Sequence, residues 1–221
     1  MNYEYRDELG KALADVRKAH QLIFAFYKRI FDYANLIHQR LGFKRYYFHS
    51  DSVASHSLRN YGNLEVGHTA QFLPLALSNF LFLHPTNEEN AYRDKNGTSN
   101  YMYPGDSMLV LQLIADSRLL ALHQTSGSDI EGETYFTLWI IKNLEERNLN
   151  WYNGVFLKLK RRLKIPPSNS VLIEDSDPSG FSIYGEKWNL IELPDSDALT
   201  QYIDNYLKAT REKLGLELTP T

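Results

Sequence analysis

Hydrophobic positions recur at alternating steps of four and three through the first part of the chain. The ten positions are Leu9, Leu13, Val16, His20, Ile23, Tyr27, Ile30, Ala34, Ile37 and Leu41. This spacing places all ten side chains on one face of an α-helix. The stretch contains no proline, and Gly42 stands where a glycine that ends a helix is expected. The pattern therefore predicts one long helix over residues 1–42.

The two halves of this helix differ in what flanks the hydrophobic stripe. Up to Lys18 the flanks are rich in charge, whereas from Leu22 to Leu41 apolar residues fill them as well. A helix that is apolar nearly all round must be covered on several sides. We therefore expect the second half to form the spine of the core. Leu9, Leu13 and Val16 in the first half are the predicted contacts for a protein partner or for a second copy of the chain.

The remainder of the chain alternates short apolar runs with polar turns. Strands are predicted at 43–49, 69–83 (interrupted at Pro74), 108–115, 119–123, 134–141, 171–174 and within 181–193, and a helix at 150–164. A helix that begins at Leu75 is the alternative for the segment 69–83. Asp195 and Ser196 are typical helix caps, and a last amphipathic helix is expected from Asp197 to Leu214, ended by Gly215.

The order of these elements, a helix, then mostly strands, then a helix, predicts an α+β fold. We expect a long N-terminal helix (1–42) packed on a mainly antiparallel sheet. The sheet belongs to a strand-rich body (43–193) that includes the basic helix near 150–164. A C-terminal helix and short tail (194–221) complete the chain.

Composition narrows the classes of function. The chain has no cysteine, which excludes disulfides, thiolate nucleophiles and cysteine-held metals. Its net charge of −3 offers nucleic acid no general attraction. The charged start is unlike a secretory signal, and no apolar run reaches the ~18–20 residues that span a bilayer. A cytoplasmic protein that does not enter the membrane is expected.

A cluster of positive charge gives the first alternative function. Its residues are Lys158, Lys160, Arg161, Arg162 and Lys164, which closely follow Trp151 and Tyr152. Cations can contact phosphates while neighbouring aromatic rings stack on bases. On a helix, Phe156, Leu159 and Leu163 would face inward and the cations would face solvent. Nucleic-acid binding through this segment is therefore the first alternative.

Metal chemistry gives the second alternative, a metal-dependent hydrolase or nuclease. His49, Asp51 and His56 lie close together in sequence, and His68, His84 and His123 could join them in the fold. A separate acidic loop runs from Asp129 to Glu133. The segment from Asp175 to Gly180, with Glu186, has the spacing of an EF-hand loop, but the strands predicted on both sides favour a polar turn.

No nucleophile elbow, Walker loop or dinucleotide-binding glycine motif is present in the sequence. We therefore predict no catalytic residue, no cofactor and no metal-ligand set. The leading hypothesis is a non-enzymatic accessory or scaffolding subunit of a larger complex, which binds its partner through the first helix.

Overall fold

The computed structural model of the chain describes residues 3–50, 56–57, 77–86, 101–115, 132–160, 163, 170–173 and 180–218. The first helix, α1, spans Tyr3–Arg40. The strands are β1 (Lys44–Ser50), β2 (His56–Ser57), β3 (Leu77–His84), β4 (Tyr101–Met102), β5 (Ser107–Ile114), β6 (Tyr135–Asn143), β7 (Arg147–Asn148), β8 (Ser170–Ile173) and β9 (Phe181–Asn189). A π-helical segment (Trp151–Phe156) continues into α2 (Leu157–Leu159), and a 3-10 turn (Leu190–Glu192) precedes α3 (Ser196–Leu214).

Within the described ranges, seven strands form one sheet in the order β2-β1-β3-β5-β6-β9-β8. Each neighbouring pair is antiparallel. Strands β4 and β7 form a separate two-stranded ribbon. The predicted α+β fold, with a long N-terminal helix, a mainly antiparallel sheet and a C-terminal helix, is confirmed.

Both faces of the sheet are covered by packed side chains. On one face Phe80, Leu111 and Leu138 lie in register across β3, β5 and β6 and belong to a core that includes α1 and α3. On the other face Leu81, Val110 and Trp139 pack with the π-helical segment. Every residue of β5 is buried, which explains its nearly continuous apolar sequence.

The ends of both long helices have the geometry that their sequences predict. Gly42 follows α1 with φ 73°, and Gly215 ends α3 with φ 58°, both in the left-handed region that favours glycine. The Asp195 carboxylate accepts hydrogen bonds from the backbone N–H groups of Asp197 and Ala198, so it caps α3 as expected.

The segment predicted as a helix over 150–164 begins as a π-helix. Asn150 caps it by accepting from the N–H groups of Tyr152 and Asn153, and the rings of Tyr152 and Phe156 stack at 5.8 Å. Residues 161–162 and 164 lie outside the described part. So do the predicted strand at 119–123 and residues 69–76 of the strand predicted over 69–83, which the structure describes from Leu77 onward as β3.

None of the helices in the described ranges is both long enough and apolar enough to cross a membrane.

Candidate functional site

The second half of α1 is fixed to the body. Tyr33 donates its hydroxyl hydrogen to the Leu193 carbonyl at 2.7 Å, and Arg29 donates to the same carbonyl at 3.1 Å. Between these two residues, the ring of Phe31 packs edge-on against the ring of Phe80 of β3. From Tyr27 to Leu41 the stripe positions are buried, so this half forms part of the core as predicted.

The first half of α1 makes none of these contacts. We call residues 3–22 of α1 the arm. The predicted contact residues Leu9, Leu13 and Val16 are 48%, 48% and 51% exposed, and most of the other described side chains of the arm are exposed as well. The structure thus places all three residues on one open face of a projecting helix.

Two residues that the sequence pattern assigns to the core are exposed instead. Leu22 is 72% exposed and Phe24 is 36% exposed. Packing against the core begins at Ile23, which is half-buried, and full burial begins at Tyr27. Leu22 comes nine positions after Leu13, and at about 100° per residue this turns Leu22 to the opposite side of the helix. The core spine is therefore shorter than the apolar pattern predicted.

Of the two described cations of the basic segment, only one is exposed to solvent. Lys158 is exposed, but Lys160 is half-buried, and its ammonium lies 2.8 Å from Nε2 of His49. Nδ1 of the same ring lies 2.7 Å from the Tyr152 hydroxyl. Lys160 departs from the expected outward orientation because β1 brings His49 beside the π-helical segment. Phe156, Leu159 and Leu163 are buried, as predicted.

This contact defines an ordered chain of polar groups. When the Lys160 ammonium donates to Nε2, the His49 ring carries its proton on Nδ1 and donates it to the Tyr152 oxygen. The Tyr152 ring lies 4.2 Å from the Tyr47 ring, centroid to centroid. A cation held beside packed tyrosine rings is an arrangement that proteins use to contact single-stranded nucleic acid.

A buried polar row crosses the middle of the sheet, and no sequence motif predicts it. Asn79, Gln112 and Thr137 lie in register on β3, β5 and β6. Gln112 donates to the Asn79 side-chain oxygen at 2.9 Å, and Thr137 donates to the Gln112 side-chain oxygen at 3.2 Å. In the sequence each of these strands carries an amide or hydroxyl residue within an apolar run. Only the strand register shows that the three side chains meet.

Residues proposed for metal chemistry do not assemble into a site within the described ranges. No group of three or more histidine, cysteine, aspartate or glutamate side chains with metal-binding geometry occurs there. The ring of His49 contacts Tyr152 and Lys160. The ring of His84 is partly buried, and this burial lowers its pKa. Residues 51, 68, 123 and 129–131 and the side chain of His56 lie outside the description.

The EF-hand spacing occurs between strands rather than between helices. Strand β8 lies before the segment with this spacing, and the last position of the spacing, Glu186, lies in β9. Glu186 lies within β9, where it accepts hydrogen bonds from Tyr184 at 2.5 Å and from Trp188 at 2.9 Å. These partners hold the carboxylate in the sheet, whereas residues 175–179, where the polar turn is predicted, lie outside the described part of the chain.

An open cleft of about 380 Å³ lies where β9 and the 3-10 turn meet α3. Glu133, Glu186 and Glu192 supply carboxylates to its wall, and Trp188 and Tyr202 supply rings. Glu133 pairs with Lys187 at 2.5 Å, and Glu192 accepts the hydroxyl hydrogen of Tyr202, which raises the pKa of that tyrosine. Each carboxylate has an internal partner, which favours a structural role.

Comparison with known proteins identifies one relationship. The family model described as PM0109 matches residues 6–215. An uncharacterized protein, PM0109 of Pasteurella multocida (strain Pm70), is 26% identical over 215 residues, which cover 94% of this chain and 98% of that protein. No solved structure gives a significant match.

Proposed function

This chain belongs to the PM0109 family, and we propose that it is a non-enzymatic accessory or scaffolding subunit that binds a protein partner through its arm. The single observation that carries the proposal is the exposed apolar stripe of Leu9, Leu13 and Val16 on a helix that leaves the body. We further propose that it acts in the cytoplasm.

The energetics of helices support this role. In proteins most helical stability comes from packing an amphipathic face, and isolated helices of about 12–15 residues are marginal in water. The arm covers residues 3–22, about 30 Å at 1.5 Å per residue, and its stripe is open to solvent. A partner that covers the stripe would supply the packing that the body supplies to the rest of α1.

The internal contacts of the described polar clusters also favour a binding role over catalysis. His49 links Tyr152 to Lys160, and Glu186 holds Tyr184 and Trp188. These groups connect one element of the fold to another. Contacts of this kind have a structural role, because they hold the elements of the fold together.

The test is capture of partners from the native cell with two matched variants. Leu13→Asp places a carboxylate in the stripe, whereas Leu22→Asp makes the same change at a more exposed position on the opposite face. We expect wild type and Leu22→Asp to capture the same protein, whether a different chain or a second copy of this one, and Leu13→Asp to lose it by tenfold or more. Equal capture by all three proteins would contradict the proposal. Circular dichroism checks that each variant is folded.

The contact between Lys160 and His49 favours nucleic-acid binding as a second candidate function. It holds a cation next to the rings of Tyr47 and Tyr152, which pack against each other at a tilt with their centroids 4.2 Å apart. The test is the anisotropy of a labelled single-stranded oligonucleotide with the quadruple change Lys158→Glu, Arg161→Glu, Arg162→Glu and Lys164→Glu, which leaves Lys160 in place. This function is supported if the wild-type affinity falls steeply with salt and the variant loses affinity. Unchanged binding by the variant contradicts it.

A further inference from the structure

The stripe of the arm continues without a break into the stripe that is buried in the body. Reading its steps as a heptad assigns Leu13 and His20 to position a, and Leu9, Val16 and Ile23 to position d. The same register continues through Tyr27 and Ile30, which are 5% and 2% exposed. Beyond Ile23 the space in front of the stripe is therefore filled by the protein's own sheet and α3.

This continuity limits how another helix can cover the arm. A helix lying on the stripe must end near Ile23, because the body occupies the stripe beyond that point. If a second copy paired in parallel, its own body would lie at the same end and on the same side. The two bodies would then compete for one space. Antiparallel pairing places the two bodies at opposite ends and avoids the overlap.

The flanks of the stripe are suited to close contact with a helix. From Leu9 to Leu22, positions e and g, which border a helical contact, hold Gly10, Ala12, Arg17 and Ala19. Space around Gly10 is open, with nothing within 4 Å of an added Cβ. The exposed charges of Glu8, Lys11, Asp15 and Lys18 lie at the remaining positions, which face away from a paired helix.

From these observations we infer that two copies of this chain pair through their arms in antiparallel orientation. This rests on the proposed function and names its partner: the occupant of each arm's stripe is the arm of the second copy. In antiparallel coiled coils a position a packs in one layer with a position d of the other helix. Leu13 then lies level with Val16 of the second copy, and Leu9 lies level with His20.

The twofold symmetry of the pair repeats each of these contacts, which gives four layers along the arms. The two layers that contain His20 are polar, and a polar residue at a single a position fixes register at some cost in stability. The four layers span about 16 Å of each helix, and we expect so short a contact to bury less than the about 800 Å² that each partner buries in a standard interface. We therefore expect dissociation in the micromolar range.

Single cysteine substitutions test the pairing and its direction together, because the chain has no cysteine of its own. Leu9→Cys and His20→Cys are prepared separately and oxidised gently, alone and as an equal mixture. In Leu9→Cys alone, antiparallel pairing keeps the two introduced sulfurs about 16 Å apart along the helix axis, beyond the ~7 Å Cα limit of a disulfide. We expect each variant alone to stay a single chain and the mixture to form a covalent dimer on a non-reducing gel.

The control is Leu22→Cys, which is more exposed but lies opposite the stripe. Cross-linking of the mixture no faster than that of the control overturns the self-pairing. Rapid cross-linking of Leu9→Cys alone overturns the antiparallel direction. If cross-linking fails while the native cell still yields a different protein that Leu13→Asp loses, the self-pairing is wrong and the proposed function stands.

Discussion

The imidazole of His38 is buried near the end of α1 and makes stability depend on pH. Its Nδ1 lies 2.9 Å from the Phe43 carbonyl oxygen, and its ring stacks on Phe82 at 4.7 Å. Burial lowers the pKa of His38 to about 4, against the opposing effect of the Phe43 carbonyl, while Arg45 lowers it further. The native protein therefore keeps this ring neutral at pH values where the unfolded chain protonates it.

We predict that the free energy of unfolding falls as pH drops from about 6.5 towards 4. The unfolded chain binds the extra proton in this window, so the slope is positive with pH, and the full contribution is about 3 kcal/mol. Urea denaturation at several pH values measures it. His84 has a lowered pKa as well, so His38→Asn is the comparison that isolates His38. Equal pH slopes in the two proteins would show that His38 does not contribute.

The buried polar row gives a second prediction for single residues. Gln112→Met should lower the free energy of unfolding by about 2 kcal/mol or more, because it leaves Asn79 and Thr137 without their hydrogen-bond partner inside the sheet. Gln201→Met is the matched control, since Gln201 is exposed on α3 and should change stability by less than about 0.5 kcal/mol. Similar effects of the two changes in urea denaturation would disagree with the hydrogen-bonded row.

These residues also mark what the sequence could not predict. The apolar runs that contain Asn79, Gln112 and Thr137 were visible, but the register that aligns them depends on pairing between distant strands. The contact between Lys160 and His49 joins residues 111 positions apart. By contrast, the exposure of Leu9, Leu13 and Val16 followed from local composition, because charged flanks accompany a narrow stripe.

Helix caps are the elements that the sequence predicted most closely, because their chemistry is local. Asp195 begins α3 and Gly215 ends it, as their residue types indicated. The π-helical form of Trp151–Phe156 could not be read in the same way. In this segment the Tyr152 ring stacks on Phe156 and the Tyr152 hydroxyl contacts His49 of β1, a contact between distant parts of the sequence.

The cap of α3 gives a prediction at this scale. Asp195→Ala removes the acceptor for the N–H groups of Asp197 and Ala198 and should cost about 1 kcal/mol of stability. Asp195→Asn keeps an oxygen in the same place and should recover most of the loss. If thermal unfolding shows Asn to be as destabilising as Ala, the hydrogen bonds are not the cause and the charge of Asp195 is.

At the scale of the whole molecule, the chain combines a body covered on both faces of its sheet with an arm whose stripe is uncovered. The sequence predicted this division, but full burial begins at Tyr27 rather than at Leu22, because Leu22 and Phe24 are exposed. Packing against the core begins at Ile23 because that is where α1 first meets the body. The arm is thus the part of the described structure whose apolar stripe is uncovered, and it is where we propose that a partner binds.

Sedimentation equilibrium of the purified chain, over about 1–100 µM, tests the role of the arm most directly. We predict that wild type and Leu22→Asp approach twice the 25.7 kDa mass of one chain as concentration rises, and that Leu13→Asp remains a single chain. A wild type that stays at the mass of one chain throughout would contradict self-pairing. So would a Leu13→Asp protein that associates as strongly as the wild type.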